Sequence, residues 1–143
     1  MYDARSAYRT ATLETAAPAK VVTMLFDRLL LDVDRASAAF AQGDVVGGRS
    51  QAQHAQDIVA ELMASLDVAA WDGGPVLMSV YAYLYSALVD AGVRADAEKL
   101  AECRSLIEPL AATWHEAAAL TAAAAPAAAG PVPATGAGLL GVG

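Results

Sequence analysis

The side chains that could do chemistry in this 143-residue chain are few and scattered. His54, Asp57 and Glu61 are spaced so that they would share one side of a helix and could offer a metal ion one histidine and two carboxylates. A cluster confined to a short stretch of one helix needs further ligands to hold a metal firmly, and a solvated polar face is the simpler interpretation. The sequence therefore predicts no metal site and no cofactor.

Cys103, the only cysteine, is the strongest nucleophile that the chain offers. It lies among apolar residues with helical spacing, so its expected role is that of a small buried side chain. The glycines of segment 43–48 resemble a phosphate-binding loop, but the lysine and the hydroxyl that such a loop needs are missing. We therefore predict that the chain is not an enzyme. A metal-dependent enzyme built on a helical bundle is kept only as the least favoured functional hypothesis.

The charge balance argues against a nucleic-acid partner. Sixteen acidic and nine basic residues give a net charge of −7, which repels phosphates at long range. The carboxylates Asp27, Asp32 and Asp34 are expected on a solvated helix face. No apolar core of a signal peptide follows Met1, and prolines and glycines interrupt the alanine-rich stretch from Ala117. These features predict a cytoplasmic protein with no membrane insertion.

Apolar residues recur at three- and four-residue spacing in four stretches, which predicts four amphipathic helices. The stretches cover about residues 18–41, 49–66, 75–91 and 97–125. Gly43 should end the first helix, and Asp44 is suited to open the second. Gly92 should likewise end the third helix, and Asp96 should cap the fourth. We expect Pro109 to bend the fourth helix without breaking it.

Four helices of this length with short links bury their apolar stripes most economically as an antiparallel bundle. We therefore predict an all-α fold, an antiparallel four-helix bundle at 18–125. A short N-terminal segment at 1–17 precedes the bundle, and a disordered Ala/Gly/Pro tail at 126–143 follows it. A short helical solenoid is the structural alternative, although the sequence shows no repeat at a fixed period.

Several short segments occur in a characteristic order along the chain. They are Tyr8-Arg9, Thr15-Ala-Ala-Pro18, Met24-Leu-Phe-Asp27, Glu61-Leu-Met-Ala-Ser-Leu-Asp67, Val80-Tyr-Ala-Tyr-Leu84 and Trp114. Each segment is a weak signal alone, but the ordered set resembles the flagellin export chaperone family FliS. The resemblance spans about residues 8–116.

This resemblance implies a cytosolic chaperone that binds the disordered C-terminal segment of flagellin. Such a chaperone would prevent premature polymerisation and deliver the subunit to the export gate of the flagellar type III apparatus. A helical scaffold or adaptor for other partners is the alternative function.

Residues on several helices are candidates for contact with the partner, although a residue of an apolar stripe is more often a core residue. The candidate partner-binding residues are Tyr8, Met24, Leu25, Leu62, Leu66, Tyr81, Tyr83 and Leu84. In an ideal helix Tyr83 points about 200° away from Tyr81, so both cannot enter one core. Tyr83 and Tyr85 remain candidates for a surface groove, because tyrosine offers a large contact area and a hydroxyl.

Overall fold

A computed structural model describes residues 18–70 and 72–129 of the chain. These residues form helices and no strand. The elements are α1 (Pro18–Ala41), α2 (Val45–Ser65), a 3₁₀ turn (Val68–Ala70), α3 (Gly74–Arg94) and α4 (Ala97–Ala129). The predicted all-α four-helix fold is confirmed. The predicted N-terminal segment and residues 130–143 of the predicted tail lie outside the described residues.

Each helix packs against two neighbours, so the four helices form a ring around one core. α1 contacts α2 and α4, while α3 contacts α2 and α4 from the opposite corner of the bundle. The links between consecutive helices are short, which makes neighbouring helices antiparallel. Fully buried side chains from all four helices fill the centre. The largest apolar ones are Phe26, Leu29, Val33, Val59, Leu84, Leu88, Leu100 and Ile107.

The turn between α1 and α2 starts the second helix about one turn earlier than the apolar pattern predicted. Gly43 has a φ of +82°, and Oδ1 of Asp44 accepts a hydrogen bond from the backbone N–H of Gly47 at 2.9 Å. Because this N-cap satisfies a free N–H group, α2 begins directly after Asp44 and includes the two following glycines. Gly48 is needed there, since a Cβ would lie 2.2 Å from the ring of Phe40 on α1.

The link between α3 and α4 corrects the prediction that Gly92 ends the third helix. α3 continues past this residue, and its left-handed cap is Ala95, with a φ of 52°. Gly92 lies instead at the contact with α2, where a Cβ would stand 3.4 Å from the Cβ of Ala52. The predicted cap of the fourth helix is confirmed, because Oδ1 of Asp96 accepts a hydrogen bond from the N–H of Lys99 at 3.1 Å.

The fourth helix runs without interruption through Pro109, so the prediction that this proline does not break it is confirmed. Proline has no N–H to donate within the helix. Its carbonyl still accepts a hydrogen bond from the hydroxyl of Thr113 at 2.9 Å. The helix ends at Ala129, past the predicted end at about residue 125, so the first residues of the predicted tail belong to α4.

Candidate partner-binding surface

The polar residues weighed as a metal cluster do not converge. Nδ1 of His54 on α2 forms a hydrogen bond with a carboxylate oxygen of Asp32 on α1. His54 is therefore engaged with the neighbouring helix, and not with the two acidic residues that follow it on α2. Within residues 18–70 and 72–129, no three His, Cys, Asp or Glu side chains are grouped so that they could hold a metal ion.

Asp32 is buried in the contact between α1 and α2, which corrects the expectation of a solvated position. None of its surface is exposed, and its second carboxylate oxygen accepts a hydrogen bond from Nε of Arg28 at 2.8 Å. The side chains of Arg28 and His54 are each about half exposed. A buried carboxylate with no partner is strongly unfavourable. These two side chains therefore allow Asp32 to occupy the contact.

Exposed ion pairs join α1 to α4 on the other side of the first helix. The carboxylate of Asp34 accepts two hydrogen bonds from the guanidinium of Arg104, at 2.7 and 3.3 Å. These hydrogen bonds, together with that to Glu108, raise the pKa of Arg104 above its ordinary value. His115 and Asp27 form a second pair at 2.6 Å. Such exposed pairs contribute little to stability, but they indicate how α1 and α4 face each other.

Cys103 is a packing residue in this fold. Its side chain is fully buried in the core, and this burial raises the pKa of the thiol to about 11. The thiolate is the form of cysteine that reacts as a nucleophile. At neutral pH Cys103 is therefore held as an unreactive thiol.

Three of the predicted partner-binding residues lie inside the bundle. Leu62, Tyr81 and Leu84 have at most 3% of their surface exposed. A partner could contact these side chains only if the helices moved apart. Tyr8 lies outside the described residues. Contact of these four residues with a partner stays a prediction.

The other predicted residues are accessible to different degrees. Met24 on α1 is 59% exposed, and Tyr83 on α3 is 46% exposed. Leu25 and Leu66 are half-buried against the core, so each offers only an edge to a partner. The structure does not bring Met24 and Tyr83 together, because α1 and α3 occupy opposite corners of the bundle.

Tyr83 belongs to an apolar surface between α3 and α4. Its hydroxyl donates a hydrogen bond to Oε2 of Glu102 on α4 at 2.5 Å, which fixes how the two antiparallel helices face each other. Residues three, four or seven positions from either member of this pair lie on the same side of their helix. Several of them are apolar and incompletely buried. We call this surface the α3–α4 seam, and its apolar residues are Val76, Val80, Tyr83, Leu106 and Leu110.

The two ends of the α3–α4 seam differ in polarity. At one end, Lys99 and Tyr83 both donate hydrogen bonds to Glu102. These two hydrogen bonds, that from Tyr83 first, lower the pKa of the Glu102 carboxyl, and the same contact raises the pKa of the tyrosine. The rest of the seam has no charge, and Val76 and Leu106 expose 68% and 36% of their surface there. The seam can therefore accept an apolar side chain beside a fixed carboxylate.

The composition of α3 shows the same excess of apolar surface. By length and composition alone, this helix could cross a membrane, since its most apolar window has a mean hydropathy of 1.5. Only 33% of that window is buried inside the bundle. α3 is a core helix that contacts α2 and α4, and it carries more apolar surface than those contacts cover.

A second exposed apolar surface lies on α1. Val21, Met24 and Leu31 are 49%, 59% and 40% exposed and point away from the core stripe of this helix. We call these three residues the α1 outer face. It lies on the opposite corner of the bundle from α3, so the α1 outer face and the α3–α4 seam are separate surfaces.

Sequence reasoning found Tyr83 but missed Val76 and Leu106 as candidate surface residues. Each of them directly precedes a residue of the core stripe, Leu77 and Ile107 respectively. Adjacent residues on a helix point about 100° apart, so a pair of adjacent large apolar residues cannot both lie at the centre of one core. Such pairs are the signal that could have located the seam.

Two comparisons with known proteins agree with each other. A family model described as flagellar protein FliS matches residues 1–121. The flagellar secretion chaperone FliS of Salmonella typhimurium strain LT2 is 31% identical over 118 residues, which cover 77% of this chain and 86% of that protein. The match to the family model includes α1, α2, α3 and most of α4, whereas residues 122–143 lie beyond it.

Proposed function

The chain belongs to the FliS family of flagellar secretion chaperones, and we propose that it is a cytoplasmic chaperone for flagellin. In this proposal it binds the disordered C-terminal segment of newly made flagellin and delivers the subunit to the flagellar type III export apparatus. The proposed chaperone needs no catalytic residue and no cofactor, because binding and release are its whole activity.

The observation that carries the proposal is the position of the exposed apolar side chains. The α3–α4 seam lies on one side of the bundle and the α1 outer face on a corner away from that side, so a compact partner docking on one side could cover only one of them. An extended chain that wraps around the bundle can contact both. A disordered segment is suited to this geometry, because it can cover a large surface without being folded beforehand.

The energetics of such binding suit a chaperone that must release its client. Each apolar side chain that the client buries contributes on the order of 25 cal/mol per Å² of apolar area. Ordering the client costs conformational entropy and offsets part of this gain. The result is a specific complex of moderate affinity. The client's apolar residues, once covered, are not available to other flagellin subunits, which explains how premature polymerisation would be prevented.

The experiment that tests the proposal is a calorimetric titration of this protein with a synthetic C-terminal flagellin peptide. We expect one peptide to bind per chain, with a negative heat-capacity change, because apolar area is buried. The helicity of the peptide, followed by circular dichroism, should rise if it lies in the seam as a helix. No heat and no competition at micromolar concentrations would contradict the proposal.

A matched pair of valine variants locates the binding surface. Val76→Ser removes an apolar side chain that is 68% exposed in the α3–α4 seam, and Val46→Ser removes one that is 80% exposed on the first turn of α2. We expect Val76→Ser to weaken peptide binding by about fourfold, since one buried methyl-sized group contributes roughly 0.8 kcal/mol. Val46→Ser should leave the affinity unchanged. Equal losses for both variants would place the contact elsewhere.

The alternative function, a scaffold or adaptor for other proteins, predicts a different result in the cell. Capture of the tagged chain from a flagellated host should recover flagellin if the chaperone proposal holds. Recovery of other flagellar proteins without flagellin, together with a silent peptide titration, would favour the adaptor. The Val76→Ser variant is the control, because capture through the seam should decrease with it.

A further inference from the structure

We propose that segment 130–143 of this chain folds back along α4 and docks Leu139 and Leu140 in the α3–α4 seam beside Val76 and Leu110. The segment follows α4 directly, and it lies beyond the part of the chain that matches the FliS family model. The docked segment would occupy the seam when no partner is bound. Four features of the chain support this assignment.

The first feature is a stripe of two leucines and one threonine that leads along α4 toward the seam. Leu106, Thr113 and Leu120 are spaced by seven residues, so they lie on one side of the helix. Leu120 is 53% exposed. The contact between Tyr83 and Glu102 places the beginning of α3 level with about residue 111 of α4. From about residue 112 onward, the side of α4 that carries this stripe has no part of α3 beside it.

The second feature is the length of the segment. Leu106 and Ala129 are separated by about 35 Å along α4, at a rise of 1.5 Å per residue. The ten residues from Gly130 to Leu139 span at most about 33–36 Å when fully extended. Reversing direction at the end of α4 uses part of this length. Leu139 can therefore come to about the level of Leu110, which lies about 29 Å from Ala129 along the helix.

The third feature is the chemistry of the segment. Gly130 and Pro131 follow the last residue of α4, and this pair is typical of a chain that leaves a helix and changes direction. Segment 130–143 has no charged residue, and Leu139 and Leu140 are its largest apolar side chains. Docking them on the uncharged part of the seam would bury apolar surface without desolvating a charge.

The fourth feature distinguishes this segment from the other candidate occupant of the seam, segment 1–17. That segment joins α1, which lies on the corner of the bundle opposite α3. To reach the seam it would have to pass around α2 or α4. Segment 130–143 joins α4, which forms one wall of the seam itself.

Docking of this kind would be reversible and would compete with a partner. Tethered groups meet at an effective concentration in the millimolar range, so even a weak contact is populated for a large part of the time. A partner that needs the seam would then bind about two- to fivefold more weakly than it binds an open seam. This last consequence rests on the proposed chaperone function, whereas the docking itself does not.

The test compares methyl NMR spectra of the full chain with those of the variant Leu139→Ser/Leu140→Ser. The substitutions lie outside the helical bundle, so the bundle is expected to fold in both proteins. We expect the methyl signals of Val76 and Leu110 to differ between the two proteins. The signals of Val21 and Leu31 on the α1 outer face should coincide, and they serve as the internal control.

Unchanged seam signals would overturn the docking, whatever the flagellin peptide does. Differences that grow with protein concentration would also overturn it, because they would mean that the segment enters the seam of a second copy. In the same two proteins, the affinity for the flagellin peptide should be two- to fivefold higher in the variant. If the seam signals differ but neither protein binds the peptide, the docking stands and the proposed function fails.

Discussion

The contact between α1 and α2 and the α3–α4 seam join neighbouring helices in opposite ways. The first encloses the carboxylate of Asp32, which Arg28 and His54 satisfy from both helices. The second leaves apolar side chains at the surface, and its hydrogen bond between Tyr83 and Glu102 is exposed. The chain thus covers a charged group in one contact and leaves apolar groups accessible in the other.

This difference indicates which parts of the bundle are built for its own stability. Burying apolar surface is the main favourable term in folding, and burying a charge is costly. A bundle arranged for stability alone would close its apolar contacts first. Because the α3–α4 seam remains open, its residues are available for contacts outside the four-helix core. The distinction between an open seam and a closed core would be refuted if substitutions in the seam destabilised the fold as much as substitutions in the core.

The largest expected effect comes from a core leucine that the sequence analysis had proposed for partner binding. Leu62→Ala should lower the free energy of unfolding by about 3 kcal/mol, because it removes a fully buried side chain and leaves a cavity. The matched variant Leu106→Ala in the α3–α4 seam should cost about 1 kcal/mol or less, since its side chain is partly in water already. Urea unfolding measures both, and equal losses would remove the distinction between core and seam.

The next effect tests the buried carboxylate in the contact between α1 and α2. The double variant Arg28→Met/His54→Leu leaves Asp32 buried with no partner. We expect a loss of about 2–3 kcal/mol in the free energy of unfolding, somewhat less than for a deeper pair, because both replaced side chains are half exposed and water can approach.

A third substitution separates charge from packing at the same place. Adding Asp32→Asn to the double variant removes the unpaired charge, so it should recover part of the lost stability. As a control, Asp27→Asn breaks an exposed pair with His115 and should change the free energy of unfolding by less than about 1 kcal/mol. A triple variant less stable than the double variant would show that the charge of Asp32 is not what destabilises the contact.

A smaller effect is expected where α1 and α2 meet at their turn. Gly48→Ala should gain about 1 kcal/mol of helix propensity, but the new Cβ would lie 2.2 Å from the ring of Phe40. Displacing the ring should outweigh the gain and leave a net loss of about 1 kcal/mol. In a Phe40→Ala background the same substitution should stabilise the protein by about 1 kcal/mol. Denaturant unfolding of the four proteins measures the coupling, and the same sign in both backgrounds would refute the clash.

Most of the fold could be predicted from the sequence, because four apolar stripes with helical spacing determine four helices. The boundaries were less predictable where glycine has two uses. Gly92 looked like a helix stop, yet it lies within α3 at the contact with α2, where its carbonyl accepts a hydrogen bond from Nε of Arg49. Gly47 and Gly48 weakened the predicted start of α2, although the cap at Asp44 was visible in the sequence. Propensity could not reveal these packing requirements.

The candidate surface was less predictable than the fold, and for a physical reason. A stripe of apolar residues gives the side of a helix that faces the core, but not how far the neighbouring helices cover its edges. Leu62 and Leu84 therefore looked equivalent to Met24, although the first two are buried and the third is exposed. Asp32 was misplaced in the same way, because its partner His54 lies on another helix.

The smallest expected effect lies in the α3–α4 seam and concerns the exposed hydrogen bond of Tyr83. Tyr83→Phe keeps the ring and removes the hydroxyl that donates to Glu102. That hydrogen bond is the main reason why the pKa of Glu102 lies below its ordinary value, so the pKa should rise toward that value in the variant. An NMR titration of the Glu102 carboxyl carbon measures the change. An unchanged pKa would show that Lys99 alone holds the carboxylate.

The sign of the accompanying stability change follows from the direction of the shift. A carboxyl group whose pKa is lower in the folded state stabilises the protein above its unfolded pKa, and this contribution is lost as the pH falls through the folded pKa. The difference in stability between the natural chain and Tyr83→Phe should therefore be constant near neutral pH and shrink in acid. The Asp32 contact gives the contrast, because breaking it should cost far more at neutral pH than breaking this exposed bond. If Tyr83→Phe destabilised the fold as much as Arg28→Met/His54→Leu, the α3–α4 seam would be a closed structural contact and not an open surface.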